Sequence, residues 1–266
     1  MLGKLLKHEL KAQGRILLPL YLILLLVSGG FAFTIHQNDL LQGSNQPLIY
    51  LTIALGFLFV LGILVTVIMT FVLILQRFYR NLLGNEGYLM FSLPVSTAEH
   101  LASKGLSALI WITLSFVVGG LCALLMVSIM GDFPRLWQSM MAYWKMLLNS
   151  YTRSAIIRYS IYGVILFLSG ILKQIGQIYA AISLGHQWSD HRLLGSFLAY
   201  LGLSILEGFL VSFVHTGEEL AHQFVEGAVV VHLDQALLIL IAAELVFVLI
   251  YHILTWWLLS HRLNLE

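Results

Sequence analysis

An uncharged apolar run of about 28 residues, from Leu48 to Leu75, constrains the fold of this chain more than any other feature. About 20 apolar residues in a helix cross the ~30 Å hydrocarbon core of a bilayer. Backbone polar groups must be bonded internally in hydrocarbon, so the run is expected to fold as a membrane-spanning helix. Its excess length predicts that the helix tilts or projects beyond the hydrocarbon.

Five further apolar runs predict a polytopic, all-α membrane protein with six transmembrane helices. We place the spans at residues 16–35, 48–75, 106–130, 154 or 158 to 184, 193–214 and 236–260. Hydrophobic residues make up 59% of the 266 residues and charged residues 10%, against roughly 25% charged in soluble domains. No internal repeat or Pro-rich linker divides the runs, which predicts a single transmembrane domain over residues 1–266.

Charge and cysteine content exclude two other classes of protein. The net charge is +1, and the 14 Lys and Arg residues are not clustered: all but Lys173 are spread between the spans. A nucleic-acid partner is therefore not expected, since a phosphate-reading surface needs clustered basic residues. The single cysteine, Cys122, lies inside an apolar run, which provides no disulfide framework.

Two segments outside the spans have apolar residues at helical spacing. Residues 1–15 predict an amphipathic helix on an anionic membrane surface; the alternative is a basic flank that only orients the first span. Residues 131–153 predict an outer interfacial helix with Trp137 and Trp144 at headgroup depth.

Placing both termini in the cytoplasm puts nine Lys and Arg residues inside and four outside, as the positive-inside rule favours for a cell-membrane protein.

Three ionisable residues fall inside spans: Lys173, Glu207 and Glu244. Counted at about 1.5 Å per residue from the cytoplasmic ends, Lys173 and Glu207 lie at depths of roughly 16 and 21 Å, and Glu244 lies near the same level. Intramembrane charges are costly unless they are paired or wetted, and the three could pair near the midplane, with Gln177 on the same side of span four. The cluster either lines a transport path or fixes helix packing without touching a substrate.

The connection between spans five and six is polar and predicts an outer helical hairpin over residues 215–235. His215, Glu219, His222 and Glu226 would share one helix face, but the order of a zinc protease is missing, so no metal site is expected. The chain also contains no P-loop motif and no nucleophile elbow. It is therefore not expected to be an enzyme, and active transport would need energy from a separate subunit or an ion gradient.

Residues 76–105 form the longest stretch between spans that mixes charges, turn residues and aromatics. Gly84 to Gly87 is a turn cluster, since Gly and Asn tolerate positive φ. An apolar segment follows and closes at Pro94. Ser96 and Glu99 have the spacing of a capping box, which predicts the start of a new helix. A turn, an exposed apolar patch and a capped helix on the basic side suit docking to a cytoplasmic partner protein.

Two stretches, FYRNLLGNEGYLMFSLPVSTAEHLASK (residues 78–104) and LGKLLKHELKAQGRILLPLYL (residues 2–22), resemble permease subunits of ABC-2 type transporters from Gram-positive bacteria. That group includes exporters of antimicrobial peptides and related immunity systems. The resemblance implies six spans, an amphipathic N-terminal helix, a cytoplasmic coupling helix between spans two and three, and short outer helices between spans five and six. The interfacial segment after span three is long for this family.

The resemblance also implies partners. Two permease chains, identical or related, work in the bilayer with two ATPase subunits, which bind the ATP and Mg²⁺, so this chain itself would bind no cofactor. The residues that would contact the ATPase are Asn85, Glu86, Gly87, Tyr88, Leu89, Phe91, Leu93 and Glu99. The expected function is the membrane subunit of an ATP-driven exporter. The alternative is a secondary transporter or channel driven by an ion gradient through the intramembrane Lys and Glu residues; an intramembrane hydrolase is a third, weaker class.

Overall fold

The computed structural model describes residues 2–41, 45–84, 87, 95–150, 152–188, 191–224 and 233–261, with the backbone alone at residues 150, 213–224 and 233–236. The described part is all-α, as predicted, and has no strand. Its helices are α1 (Leu2–Leu40), α2 (Gln46–Phe78), α3 (Thr97–Ile129), α4 (Phe133–Ser150), α5 (Arg153–Gly185), α6 (Arg192–Phe224) and α7 (Leu233–His261). Every helix but α4 contains a stretch long and apolar enough to cross a membrane, which makes six candidate spans in the described residues.

The first helix is continuous from Leu2 to Leu40, with Pro19 inside it. The predicted boundary near residue 15, between an amphipathic helix and the first span, is therefore absent. No helix-breaking pair of residues separates the two segments, and Pro19 is accommodated inside the continuous helix. The buried side of the first four turns carries Glu9 and Gln13, so part of the polar face is packed rather than solvated.

The second helix ends in a π-helical turn, Tyr79–Leu83. The Gly84 N–H closes that turn by donating to the Tyr79 carbonyl at 2.9 Å. Gly84 has extended backbone angles, φ −93° and ψ −171°, and the helix ends there. Including the turn, the helical segment is 38 residues long, in keeping with the excess length predicted from the sequence.

Gly131 makes the sharp connection between α3 and α4. Its φ is +80°, a backbone conformation that costs glycine no Cβ clash. The Gly131 N–H donates to Ser128 O at 3.3 Å and the Asp132 N–H to Val127 O at 3.1 Å. This pair of bonds is the Schellman motif, which satisfies the last carbonyls of α3. The next helix, α4, then begins at Phe133 with Pro134 in its first turn, where a missing N–H costs nothing.

The predicted interfacial segment forms helix α4, and its apolar residues are exposed. Trp137 and Trp144 are each about half exposed, and Met140 and Tyr143 are more so. Helix α4 is thus an amphipathic helix whose apolar side lies at the surface of this chain, as expected for an interfacial helix.

The region of the predicted outer hairpin is divided between two long helices. Residues 215–224 continue α6 without a break, and residues 233–235 begin α7. The remaining part of the predicted hairpin, including Glu226, lies outside the described residues.

The chain packs as two compact groups of helix segments: group A, residues 2–75 and 106–156, and group B, residues 76–105 and 157–266. In group A, Leu17, Tyr21 and Leu24 of α1 pack with the buried Trp111 and Val118 of α3. The Tyr21 hydroxyl is 2.7 Å from the Ser115 hydroxyl, which places a polar contact inside this apolar core. Group B contains the candidate site.

Candidate functional site

Group B brings the three ionisable span residues together. The Lys173 ammonium on α5 donates to Glu207 Oε1 on α6 at 2.7 Å and to Glu244 Oε1 on α7 at 2.9 Å. The side chains of Lys173, Glu207 and Glu244 are 17%, 16% and 26% exposed. The predicted pairing is therefore confirmed, and we call these three residues the ion triad. Such short charge-assisted bonds are the strong kind, and here they join three helices.

Tyr251 extends the ion triad along α7. Its hydroxyl donates to Glu207 Oε2 at 2.9 Å, so both oxygens of the Glu207 carboxylate accept a hydrogen bond. Glu244 differs from Glu207, because its Oε2 is buried and accepts no hydrogen bond from the residues that the structure describes. The two carboxylates thus have unequal surroundings.

Polar pairs continue beside the ion triad along the contact between α5 and α6. Gln174 Nε2 donates to the Tyr200 hydroxyl at 2.6 Å. Gln177 Nε2 donates to Ser204 Oγ at 2.9 Å. Gln177, predicted as a member of the polar cluster, lies one turn from Lys173 but bonds to Ser204 rather than to the triad. Together with Lys173 and Glu207, these pairs form a polar ladder between two antiparallel helix segments.

Close packing holds α7 against α5 beside this ladder. A Cβ added at Gly176 would lie 2.8 Å from the His252 ring and 3.2 Å from Tyr251 Cβ. Glycine is therefore required at this crossing, because any side chain would push α7 away. At the end of α2, Phe78 stacks on Tyr179 of α5 with ring centroids 3.9 Å apart. These contacts hold α5, which carries Lys173, against α7 and against the end of α2.

The other predicted site is the stretch 76–105, and a hydrogen bond joins the two helices that flank it. Lys104 of α3 is 3% exposed, and its ammonium donates to the Arg77 carbonyl in the last turn of α2 at 3.2 Å. A cation at a helix C-terminus is favourable because the last carbonyls carry partial negative charge. The bond ties the end of α2 to the beginning of α3, and residues 84–96 lie between these two anchored points.

The predicted capping box is present at the start of α3. The Glu99 N–H donates to Ser96 Oγ at 3.3 Å, and the Ser96 N–H donates to Glu99 Oε2 at 3.2 Å. The Gly87 N–H donates to Gly84 O at 2.8 Å, as expected of the predicted turn. Both ends of the segment between α2 and α3 therefore have the local structure that their sequences predict.

The residues predicted to contact an ATPase are only partly described. Gly87 is buried, and the Glu99 carboxylate is engaged in the capping box. The other predicted contacts lie outside the described residues: Asn85, Glu86, Tyr88, Leu89, Phe91 and Leu93. Their role stays a prediction.

The polar face predicted near residue 215 is described only as backbone. His215, Glu219 and His222 fall in the last three turns of α6, and Glu226 lies beyond them. Among the described residues, no group of three or more His, Cys, Asp or Glu side chains could hold a metal ion.

Sequence reasoning missed the hydroxyl groups that bond to Glu207 and to the two glutamines beside Lys173. Tyr251 follows Glu244 by seven residues, and Tyr200 and Ser204 precede Glu207 by seven and three. Each spacing returns to the same helix face, so a search for polar residues around the charged ones would have found them. Which pairs actually form depends on how the helices are packed.

No protein-family model, no curated protein and no solved structure matches this chain.

Proposed function

We propose that this chain is the permease subunit of an ATP-driven exporter of the ABC type, a multi-pass cell-membrane protein with both termini in the cytoplasm. The observation that carries the proposal is the Lys104–Arg77 bond at the base of residues 84–96. Force applied to a segment anchored at both ends is transmitted to the two helices that anchor it. The resemblance of residues 78–104 to ABC-2 permeases supports the same assignment.

In this arrangement the chain holds no nucleotide. Its partners are ATPase subunits at residues 84–96 and a second permease chain, identical or related, in the bilayer. Nucleotide binding to the ATPase would displace the segment between α2 and α3, and the rigid capped start of α3 would carry that displacement into the membrane. The ion triad then serves as the fixed internal contact among α5, α6 and α7.

The test is purification of the tagged chain from its native cells in mild detergent. We expect an ATPase subunit, identified by labelling with a photoreactive ATP analogue, to co-purify with the wild-type chain. Tyr88→Ala and Phe91→Ala should release it. Tyr143→Ala is the matched control, because Tyr143 is an exposed aromatic residue on α4, 66% exposed, and should leave the complex intact.

A second variant examines coupling rather than binding. Lys104→Met removes the bond to Arg77 and should keep the ATPase bound while reducing the stimulation of ATP hydrolysis by the permease. Absence of any ATPase from the wild-type preparation would overturn the proposal.

One alternative has its own observation. An ion triad within spans is also expected in a secondary transporter or channel, where paired charges mark an ion path. Transport by the purified chain in ATP-free vesicles, driven by an imposed ion gradient and lost in Glu207→Gln, would favour that function instead.

A further inference from the structure

Helix α4 is held near the membrane surface by short connections at both of its ends. Helix α3 ends at Ile129 and α4 begins at Phe133, while α4 ends at Ser150 and α5 begins at Arg153. Both neighbouring helices contain candidate membrane spans. Connections this short reach on the order of 10 Å, so α4 stays close to the ends of the two spans.

The apolar side of α4 is not covered by the residues that the structure describes. At about 100° per residue, Trp137, Met140 and Trp144 share one side of the helix, and each is about half exposed. Every described side chain of α4 is exposed except Leu136 and Leu147, which are partly covered. A continuous apolar surface is unfavourable in water, so this side is covered by lipid or by another protein.

Basic residues beside the apolar side favour lipid as the partner. Residues 131–153 contain Arg135, Lys145 and Arg153 and a single acidic residue, Asp132. Arg135 and Asp132 form an ion pair at 3.4 Å with side chains 87% and 52% exposed, and such exposed pairs are weak. Tryptophans on the apolar side of a helix and basic residues on its polar side are typical of binding to an anionic membrane surface.

We propose that α4 is a binding site for anionic phospholipids. Its apolar side lies among the upper acyl chains, and Arg135 and Lys145 each bind the phosphate of an anionic headgroup. These two residues are ten positions apart, about 15 Å along the helix axis, so they bind different headgroups. Guanidinium and ammonium groups form charge-assisted hydrogen bonds to phosphate oxygens. The inference does not depend on an ATPase partner, and its test involves neither transport nor nucleotide.

The experiment measures which lipids contact the apolar side of α4 in the full chain. Cys122 is buried, and Cys122→Ala removes this native thiol. A dansyl fluorophore is then attached at Met140→Cys, and the protein is placed in phosphatidylcholine liposomes. A small, fixed fraction of the lipid carries an acyl-chain nitroxide, which quenches the fluorophore on contact, on either phosphatidylglycerol or phosphatidylcholine.

Both nitroxide lipids should quench the fluorophore at residue 140. We expect phosphatidylglycerol to bind there at least about threefold more strongly than phosphatidylcholine, since each basic residue near an anionic surface adds to the attraction. The matched label is Ala142→Cys, two positions further and on the polar side of the helix. Quenching at residue 142 should be much weaker for both lipids.

Charge variants test whether the two basic residues select the headgroup. The double variant Arg135→Gln, Lys145→Gln should bring the binding ratio close to one while the quenching itself persists, because the apolar side is unchanged. The control is Lys4→Gln, Lys7→Gln, which removes the same charge from two exposed residues of α1. Gln13 of α1 lies 3.5 Å from Ser107, at the opposite end of α3 from α4, so this control should leave the ratio unchanged.

Salt provides a test without a charge substitution, should the double variant fail to fold. Raising the ionic strength to about 1 M shortens the Debye length to about 3 Å. The preference for phosphatidylglycerol should then fall, while quenching by phosphatidylcholine should remain.

Three results would overturn the inference. Absence of quenching at residue 140 by either lipid would mean that water, a second copy of the chain or another protein covers the apolar side. Equal binding of the two lipids at low salt would mean that α4 does not select anionic headgroups. A preference that survives in the folded double variant, or at high salt, would mean that Arg135 and Lys145 do not bind them.

Discussion

Replacing Lys173 by glutamine should destabilise the folded protein by about 3–5 kcal/mol, the usual cost of breaking a buried ion pair by removing one partner. Glutamine keeps most of the side-chain volume, so the change tests charge rather than packing. The substitution removes the cation from two bonds of 2.7 and 2.9 Å.

The magnitude follows from two opposing terms. At an effective dielectric constant of about 20, each contact contributes roughly 6 kcal/mol of Coulomb attraction, much of which is cancelled by the desolvation of the charges. If the bonds acted merely as ordinary interhelical hydrogen bonds, each would contribute only about 0.6 kcal/mol.

The assay is the free energy of unfolding in mixed micelles, obtained by titrating a denaturing detergent and following helicity by circular dichroism. Lys145→Gln, at an exposed lysine on α4, is the charge-matched control and should change stability by less than about 0.5 kcal/mol. The triple variant Lys173→Gln, Glu207→Gln, Glu244→Gln should regain most of the loss, because it leaves no charge uncompensated.

Two outcomes would refute this reasoning. A loss below about 1.5 kcal/mol in Lys173→Gln would mean that the triad contributes no more than its hydrogen bonds. A triple variant as unstable as the single one would mean that the three side chains act through their shape rather than through their charge.

Other predictions concern the helix contacts around the site. Gly176→Ala should lower the free energy of unfolding by about 1–3 kcal/mol in the same titration, because the added methyl would lie 2.8 Å from His252. Gly170→Ala is the control and should leave stability unchanged, because a Cβ at that position meets open space. Equal losses in the two variants would contradict the close packing of α5 against α7. Ser96→Ala should cost about 0.5–2 kcal/mol of helix stability, seen as faster hydrogen exchange in the first turn of α3; unchanged exchange would mean that the capping box does not hold that turn. Tyr21→Phe loses a 2.7 Å bond to a serine hydroxyl of α3 and should cost about 0.5–1.5 kcal/mol of unfolding free energy; no measurable loss would mean that the bond contributes nothing to the core of group A.

Local sequence was sufficient for the long helices and for the helix ends that short-range contacts form. Uncharged runs such as Leu48–Leu75 fold as helices because hydrocarbon offers the backbone no other hydrogen-bond partner. Ser96 and Glu99 form a capping box because both bonds lie within one turn. These features depend on residues only a few positions apart in the chain, so they can be predicted from the local sequence.

Helix ends that depend on distant contacts could not be read in the same way. The polar side of residues 2–15 predicted a surface helix, yet Glu9 and Gln13 are buried and the helix runs on to Leu40. Gln13 lies 3.5 Å from the Ser107 hydroxyl of α3, a neighbour that a helical pattern alone does not reveal.

The sequence by itself determined that Lys173, Glu207 and Glu244 lie inside apolar helices and that such charges must be compensated there. Tertiary structure decided how they are compensated: the Lys173 ammonium donates to both carboxylates, and the Tyr251 hydroxyl donates to the second oxygen of Glu207. Helical periodicity fixes which face a residue occupies. The rotation and depth at which three helices pack decide which side-chain atoms on those faces come within hydrogen-bond distance.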